Sequence, residues 1–202
     1  MTDETDVFHI MYTCRAMRRL KPDPVPEAVL VKLIDAAHQG PTGSNRQNAR
    51  WIVVRDARQR SRIAELHRSG ADAYLAGTPA AQGMEKIRAA VAWQRDHFDQ
   101  MPALIVASIA LAQRPADSFV AGLGAGGSGW PGVQNLLLAA RALGLGATIT
   151  TFALRDRAAL KSVLGLPDLV EPFAVLPVGY PRGRFGPLTR RPLNEVLRWD
   201  RW

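Results

Sequence analysis

Cysteine is nearly absent from this 202-residue chain: Cys14 stands alone, so no internal disulfide can form. The four histidines, His9, His38, His67 and His97, lie too far apart for a short metal-binding motif, and no metal is expected. Long apolar runs are missing as well. The longest, from Pro102 to Ala112, is about half of the roughly 20 residues that a membrane span needs, so it reads as a buried strand and no membrane association is expected. Lysine is scarce, with Lys21, Lys32, Lys86 and Lys161 the only ones among 26 basic residues. The net charge of +8 comes from Arg strung along the whole chain, without a recognisable reading motif, so nucleic-acid binding is not expected. The opening residues Met1 to Asp6 are acidic and polar and lack the basic-then-apolar order of a secretory signal, from which a cytoplasmic location is expected.

What is present is ample apolar content, 47%, enough to bury the core of one domain spanning residues 1–202. From Pro26, the residues Leu30, Leu33, Ile34 and Ala37 recur at helical spacing and the pattern stops at Gly40-Pro41. A strand is expected at 50–55, an Arg-rich surface helix at 57–68, and a mobile loop or short helices at 69–83. A helix at 84–100 and a strand at 103–110 follow, then the glycine cluster 122–129, read as a loop. After Trp130-Pro131, the stripe Val133, Leu136, Leu137, Ala140 and Leu143 predicts a core helix that stops at Gly144. A strand at 147–152, a short helix at 155–164, a strand at 173–179 and a Pro- and Arg-rich arm at about 182–202 complete the reading. Strands and helices mix without strict alternation, which favours α+β over a doubly wound sheet.

Three segments offer chemistry. Gly122-Leu-Gly-Ala-Gly-Gly127 matches G-x-G-x-x-G by letter, but no strand leads directly into it, Pro131 delays the helix, and no acidic residue stands near position 147. The stretch Thr13-Cys-Arg15-Ala-Met-Arg18-Arg19 gathers cations ahead of a proline-stiffened turn. Such a cluster is either a solvated face or a fork for phosphate oxygens, to which Arg is well shaped. Gly40-Pro-Thr42-Gly43-Ser44-Asn45-Arg-Gln47 is a turn of small hydrogen-bonding residues, either a plain connector or a surface on which main chain approaches a flat ring.

Taken in order, the segment Arg15 to Val25, the turn Gly40 to Gln47, the helix Val133 to Gly146 and Pro177-Val-Gly-Tyr-Pro181 followed by Arg190-Arg-Pro192 resemble the FMN-dependent nitroreductase family over nearly the whole chain. The resemblance implies an α+β, nitroreductase-like fold, a mixed sheet flanked by helices, in an intertwined homodimer whose C-terminal arm embraces the partner. It implies FMN at the subunit interface. Arg15, Arg18, Arg19 and Arg190 or Arg191 would hold the phosphate and the pyrimidine edge. Thr42, Gly43, Ser44, Asn45 and Gln47 would lie against the ring from the other subunit, and Thr150 and Thr151 would meet its N5 region. The sequence departs from the pattern at Cys14, where Arg is common, at Ala16 and Thr42, where Ser is common, and at Asn48-Ala49, where Pro-Trp is common. The acid often found near N5 is replaced by Thr, which leaves the acceptor open.

The implied activity is ping-pong electron transfer from NADH or NADPH through flavin to a small-molecule acceptor such as a nitroaromatic or quinone. No dedicated catalytic side chain is expected, because the cofactor carries the chemistry. The alternatives are a flavin-sequestering protein of the same fold and a related flavin reductase or dehalogenase with a dedicated acceptor.

Overall fold

In the computed structural model, residues 6–77, 83–113 and 118–202 are described, side chains of 118–126 excepted. The order of elements follows from where apolar residues can be buried. Strand β2 (Ala103–Ala110) takes the longest apolar run and is buried along almost its full length. It pairs antiparallel with β1 (Ala49–Val54) on one side, Trp51 opposite Ala107, and with β4 (Val170–Gly179) on the other, Ile105 opposite Leu176. The two-residue β3 (Gly146–Ala147) completes the order β1-β2-β4-β3, and every pairing among the described residues is antiparallel.

Because side chains alternate across a strand, β2 feeds two cores. Ala103, Ile105 and Ala107 pack with Leu30 and Leu33 of α2 (Glu27–His38) and Val133 and Leu136 of α5 (Ser118–Ala142). Leu104 and Val106 face the other way, onto Ile63 and Ala64 of α3 (Ala57–Gly77), Phe98 and Leu160. The sheet therefore lies between two helical layers, the α+β arrangement expected. Helix α1 (Val7–Thr13), which the sequence reading does not anticipate, opens where the Asp6 carboxylate accepts the His9 amide at 3.0 Å.

Several expectations need correction. Helix α3 runs through the small residues expected to form a loop and ends only at Gly77, while 78–82 fall outside the described residues. Its Gly70 serves close packing: a Cβ there would lie 2.4 Å from the Phe152 carbonyl oxygen. The glycine cluster is likewise helical, inside α5, which passes through Pro131 instead of starting after it. Gly132 lets α5 approach, since a Cβ would meet the Ala37 carbonyl oxygen at 2.7 Å and the Trp51 ring at 2.8 Å. Helix α4 (Glu85–Asp96) stops short of Gln100, because a 3-10 turn at Phe98–Gln100 swings Phe98 into the core against His67, ring centroids 3.8 Å apart.

The strand expected at 147–152 shrinks to β3 and an isolated bridge between Thr150 and Val175, after which Phe152–Asp156 coils into a 3-10 turn. Helix α6 (Arg157–Leu164) starts two residues later than expected because the Asp156 carboxylate caps the Ala159 amide at 2.9 Å. The arm carries one short helix, α7 (Leu193–Val196), and its side chains from Thr189 onward are exposed.

Candidate functional site

Residues 14–21 run extended along the end of the sheet. The Met17 amide donates to the Ala147 carbonyl at 3.0 Å, Lys21 to Tyr180 at 2.8 Å, and Arg182 back to Arg19 at 2.9 Å. Met17 and Leu20 are buried as the anchors of this segment, which leaves Arg15 and Arg19 exposed and Arg18 half-buried. At its upstream end, the Arg141 guanidinium donates to Thr13 Oγ1 at 2.9 Å, lies 3.3 Å from His9 Nε2 and stacks 4.4 Å from the Phe185 ring centroid. Helix α5 thereby clamps α1 and the root of the arm. The Cys14 thiol meets the Leu137 carbonyl at 3.5 Å, and burial pushes its pKa up against the opposing charge of Arg141.

Arg18 is the distinctive charge. Burial lowers its pKa from the usual value and nearby Tyr74 opposes that shift, yet a guanidinium stays protonated at any ordinary pH. Among the described residues, no carboxylate pairs with Arg15, Arg18 or Arg19, whereas Arg55, Arg95 and Lys161 all have acidic partners. A partly desolvated cation without an anion is costly on its own and suited to an anionic ligand. Thr150 follows Ala147 by three residues and bridges to Val175; it is buried, its hydroxyl 3.4 Å from the Phe152 amide, and Thr151 is exposed. Phe152 in turn packs on Tyr74, with centroids 5.5 Å apart.

The turn at 42–47 has an unusual backbone. Ser44, Asn45 and Gln47 adopt left-handed φ values of 52°, 50° and 47°. The turn is held by Asn45 N–H to the Thr42 carbonyl and Gln47 N–H to Thr42 Oγ1, both at 2.9 Å, and by Gly43 N–H to Ser128 Oγ at 3.0 Å. Ser44, Asn45 and Gln47 point outward. No hydrogen bond or ion pair among the described residues joins this turn to Arg15–Arg19. Arg190 and Arg191 are exposed on the arm, with Arg190 donating only to its neighbour Thr189 at 3.0 Å.

Sequence reasoning missed Ser128, Tyr74 and Arg141. Ser128 and Arg141 act across 85 and 128 positions of chain, so no local pattern marks them. Among the described residues, no group of three or more His, Cys, Asp or Glu could hold a metal, and no helix is long and apolar enough to cross a membrane.

The fold is α+β, and it gathers Arg15, Arg18 and Arg19 at the end of the sheet. Residues 13–180 match the nitroreductase family, and the chain belongs to it. A NADH dehydrogenase of Thermus thermophilus is 30% identical over 92% of this chain and 91% of its own length. An iodotyrosine deiodinase of Danio rerio is 26% identical over 98% of this chain and 68% of its own length. Among solved structures, an NADPH:FMN oxidoreductase of Vibrio harveyi in complex with NAD+ superposes with a TM-score of 0.73 at 18% identity, covering 97% of this chain and 77% of that one.

Proposed function

We propose that this protein is an FMN-dependent NAD(P)H oxidoreductase that works as a homodimer and reduces a small oxidised acceptor such as a nitroaromatic or quinone. The observation that carries this reading is Arg18, a half-buried cation without a carboxylate, flanked by Arg15 and Arg19 at the end of the sheet. The donor set fits FMN: several guanidiniums suit one phosphomonoester and the polar edge of a flavin, and no adenosine fingerprint stands in a valid setting for FAD. Arg15 and Arg19 are the phosphate donors in this reading, joined by Arg190 or Arg191 from the arm, while Arg18 faces the pyrimidine edge. Thr42, Gly43, Ser44, Asn45 and Gln47 from the other subunit support the ring, and Thr150 and Thr151 border it. FMN held by these residues would supply the redox chemistry between NADH or NADPH and the acceptor. The chain's own work is to bind, orient and exclude water, and the fixed charge of Arg18 favours negative charge on the ring edge beside it.

The homodimer is supported by apolar surface that one chain leaves uncovered. Phe8 and Tyr12 of α1 are 60% and 67% exposed, and Leu193, Val196, Trp199 and Trp202 of the arm are 69%, 63%, 80% and 101% exposed. A groove of about 570 Å³ beside edge strand β1 is lined by Leu30, Val31, Ile34, Trp51 and Val53 and rimmed by Asp35, His38 and the ion pair of Glu27 with Arg55. Its apolar floor suits the Leu, Val and Trp side chains that the arm carries. Cytoplasmic location is part of the same reading, and the single cysteine suits a reducing compartment. The deiodinase relative favours a second reading in which the acceptor is a halogenated aromatic.

Arg18→Ala tests the site. Loss of a charge-assisted contact worth about 1.5–3 kcal/mol should weaken FMN binding about ten- to a hundredfold and lower the flavin's reduction potential, read by titration and by potentiometry. Arg15→Ala should weaken binding with little change in potential. An Arg18→Ala protein that keeps both its FMN affinity and its potential removes Arg18 from the site.

A further inference from the structure

The turn at 42–47 is held in a conformation that its own residues resist. L-amino acids other than Asn and Asp seldom take left-handed φ, yet Ser44 and Gln47 both do so, either side of Asn45. Such a backbone persists only where its surroundings over-determine it. Three bonds inside the turn contribute, from Asn45 and Gln47 to the Thr42 carbonyl and hydroxyl and from Arg46 to the Gly43 carbonyl, but both ends of each lie within the same six residues and can move together. The exposed Arg50 of β1 donates to the Gln47 carbonyl at 3.0 Å, and the half-buried attachment comes from α5. Ser128 Oγ accepts the Gly43 amide at 3.0 Å, and one helical turn further on the chain at Gly40 lies so close to Gly132 that a Cβ on Gly40 would stand 2.5 Å from the Gly132 amide nitrogen. Residues four apart share one face of a helix, so Ser128 and Gly132 form a single seat for the turn. Ser128 is 8% exposed and Gly43 is exposed, so the bond joins a buried acceptor to a donor at the surface.

We propose that Ser128 is a positioning residue for the flavin site: through the Gly43 amide it fixes the left-handed turn in the shape that receives the ring. This rests on the functional reading above. Ser128 touches no ligand in this account and acts through the backbone of Gly43. The bond from the Gly43 amide to Ser128 Oγ lies within one chain, and a turn ordered by its own chain spares the cofactor the cost of ordering it.

The test compares Ser128→Ala and Ser128→Thr with the wild type, each checked for folding by circular dichroism. In the flavin-free proteins, hydrogen exchange at the amides of 43–47 should be about tenfold faster in Ser128→Ala and near wild type in Ser128→Thr. With FMN added, Ser128→Ala should bind about tenfold more weakly and show a shifted visible flavin spectrum and reduction potential, which a purely structural role would leave in place once the site is saturated. The threonine variant, which keeps the hydroxyl, should restore affinity and spectrum. Unchanged exchange in Ser128→Ala overturns the proposal, and so does faster exchange with FMN affinity, spectrum and potential all unchanged. A wild-type chain that takes up no FMN overturns the functional reading and this inference with it, an outcome visible before any substitution is made.

Discussion

His67 sits on α3 with both ring nitrogens buried and without a hydrogen-bond partner, stacked on Phe98 and edge-on to Phe152. Its ring therefore behaves as an apolar plate, and burial lowers its pKa from 6.5 to about 3. The sign of the consequence follows from proton counting. Between those two values the unfolded chain binds a proton that the native chain does not, so the stability tied to neutral His67 is complete above about pH 6.5 and drains away as the pH falls toward 3. At pH 5 that amounts to about 2 kcal/mol. His67→Phe keeps the stacking and removes the titration, so urea unfolding of wild type and variant between pH 7 and 5 should show the wild type losing about 2 kcal/mol more than the variant. Parallel losses in the two proteins would show that His67 is not the group responsible.

At the scale of elements, the central pieces were legible: the apolar run at 103–110, broken only by Ser108, became β2, and the stripe from Leu30 to Ala37 became α2. What misled was glycine. Gly70, Gly129 and Gly132 look like loop punctuation in one dimension, yet each stands where another element comes too close for a Cβ: the Phe152 carbonyl, the Phe173 ring and the Ala37 carbonyl. A sequence pattern cannot tell a glycine that bends the chain from one that thins a helix, because the neighbour lies far away in sequence. The same limit hid half of the candidate site. The Arg residues at 15, 18 and 19 announced themselves by charge, and the turn at 42–47 by its small residues, but the Ser128 hydroxyl under that turn carries no local signal. The glycine argument can be checked within α5. Gly132→Ala should destabilise by about 1–3 kcal/mol through overpacking. Gly127→Ala, whose new Cβ would meet nothing within 4 Å among the described residues, should be neutral or stabilising by up to about 1 kcal/mol. Thermal melts showing equal effects at both positions would refute the packing account.

For the whole molecule, the arm is the element least satisfied by its own chain. Its root is anchored, with Phe185 under Arg141 and the Leu188 amide donating to the Tyr12 carbonyl at 3.1 Å, whereas every side chain from Thr189 onward is exposed. Removing residues 190–202 leaves those anchors intact. Sedimentation should then show a monomer in place of a dimer, with FMN binding lost alongside; a truncated chain that stays dimeric and binds FMN as before would remove the arm from both roles. The backbone bonds that tie Lys21 to Tyr180 and Arg19 to Arg182 join nearly opposite ends of the polypeptide, and β4 must slot between β2 and β3 before the sheet is whole. Chains are made from the N-terminus onward, so the segment that carries Arg15, Arg18 and Arg19 emerges long before its partners Tyr180 and Arg182. Until β4 has been made, the backbone groups of Arg19 and Lys21 lack the neighbours that fix them in place.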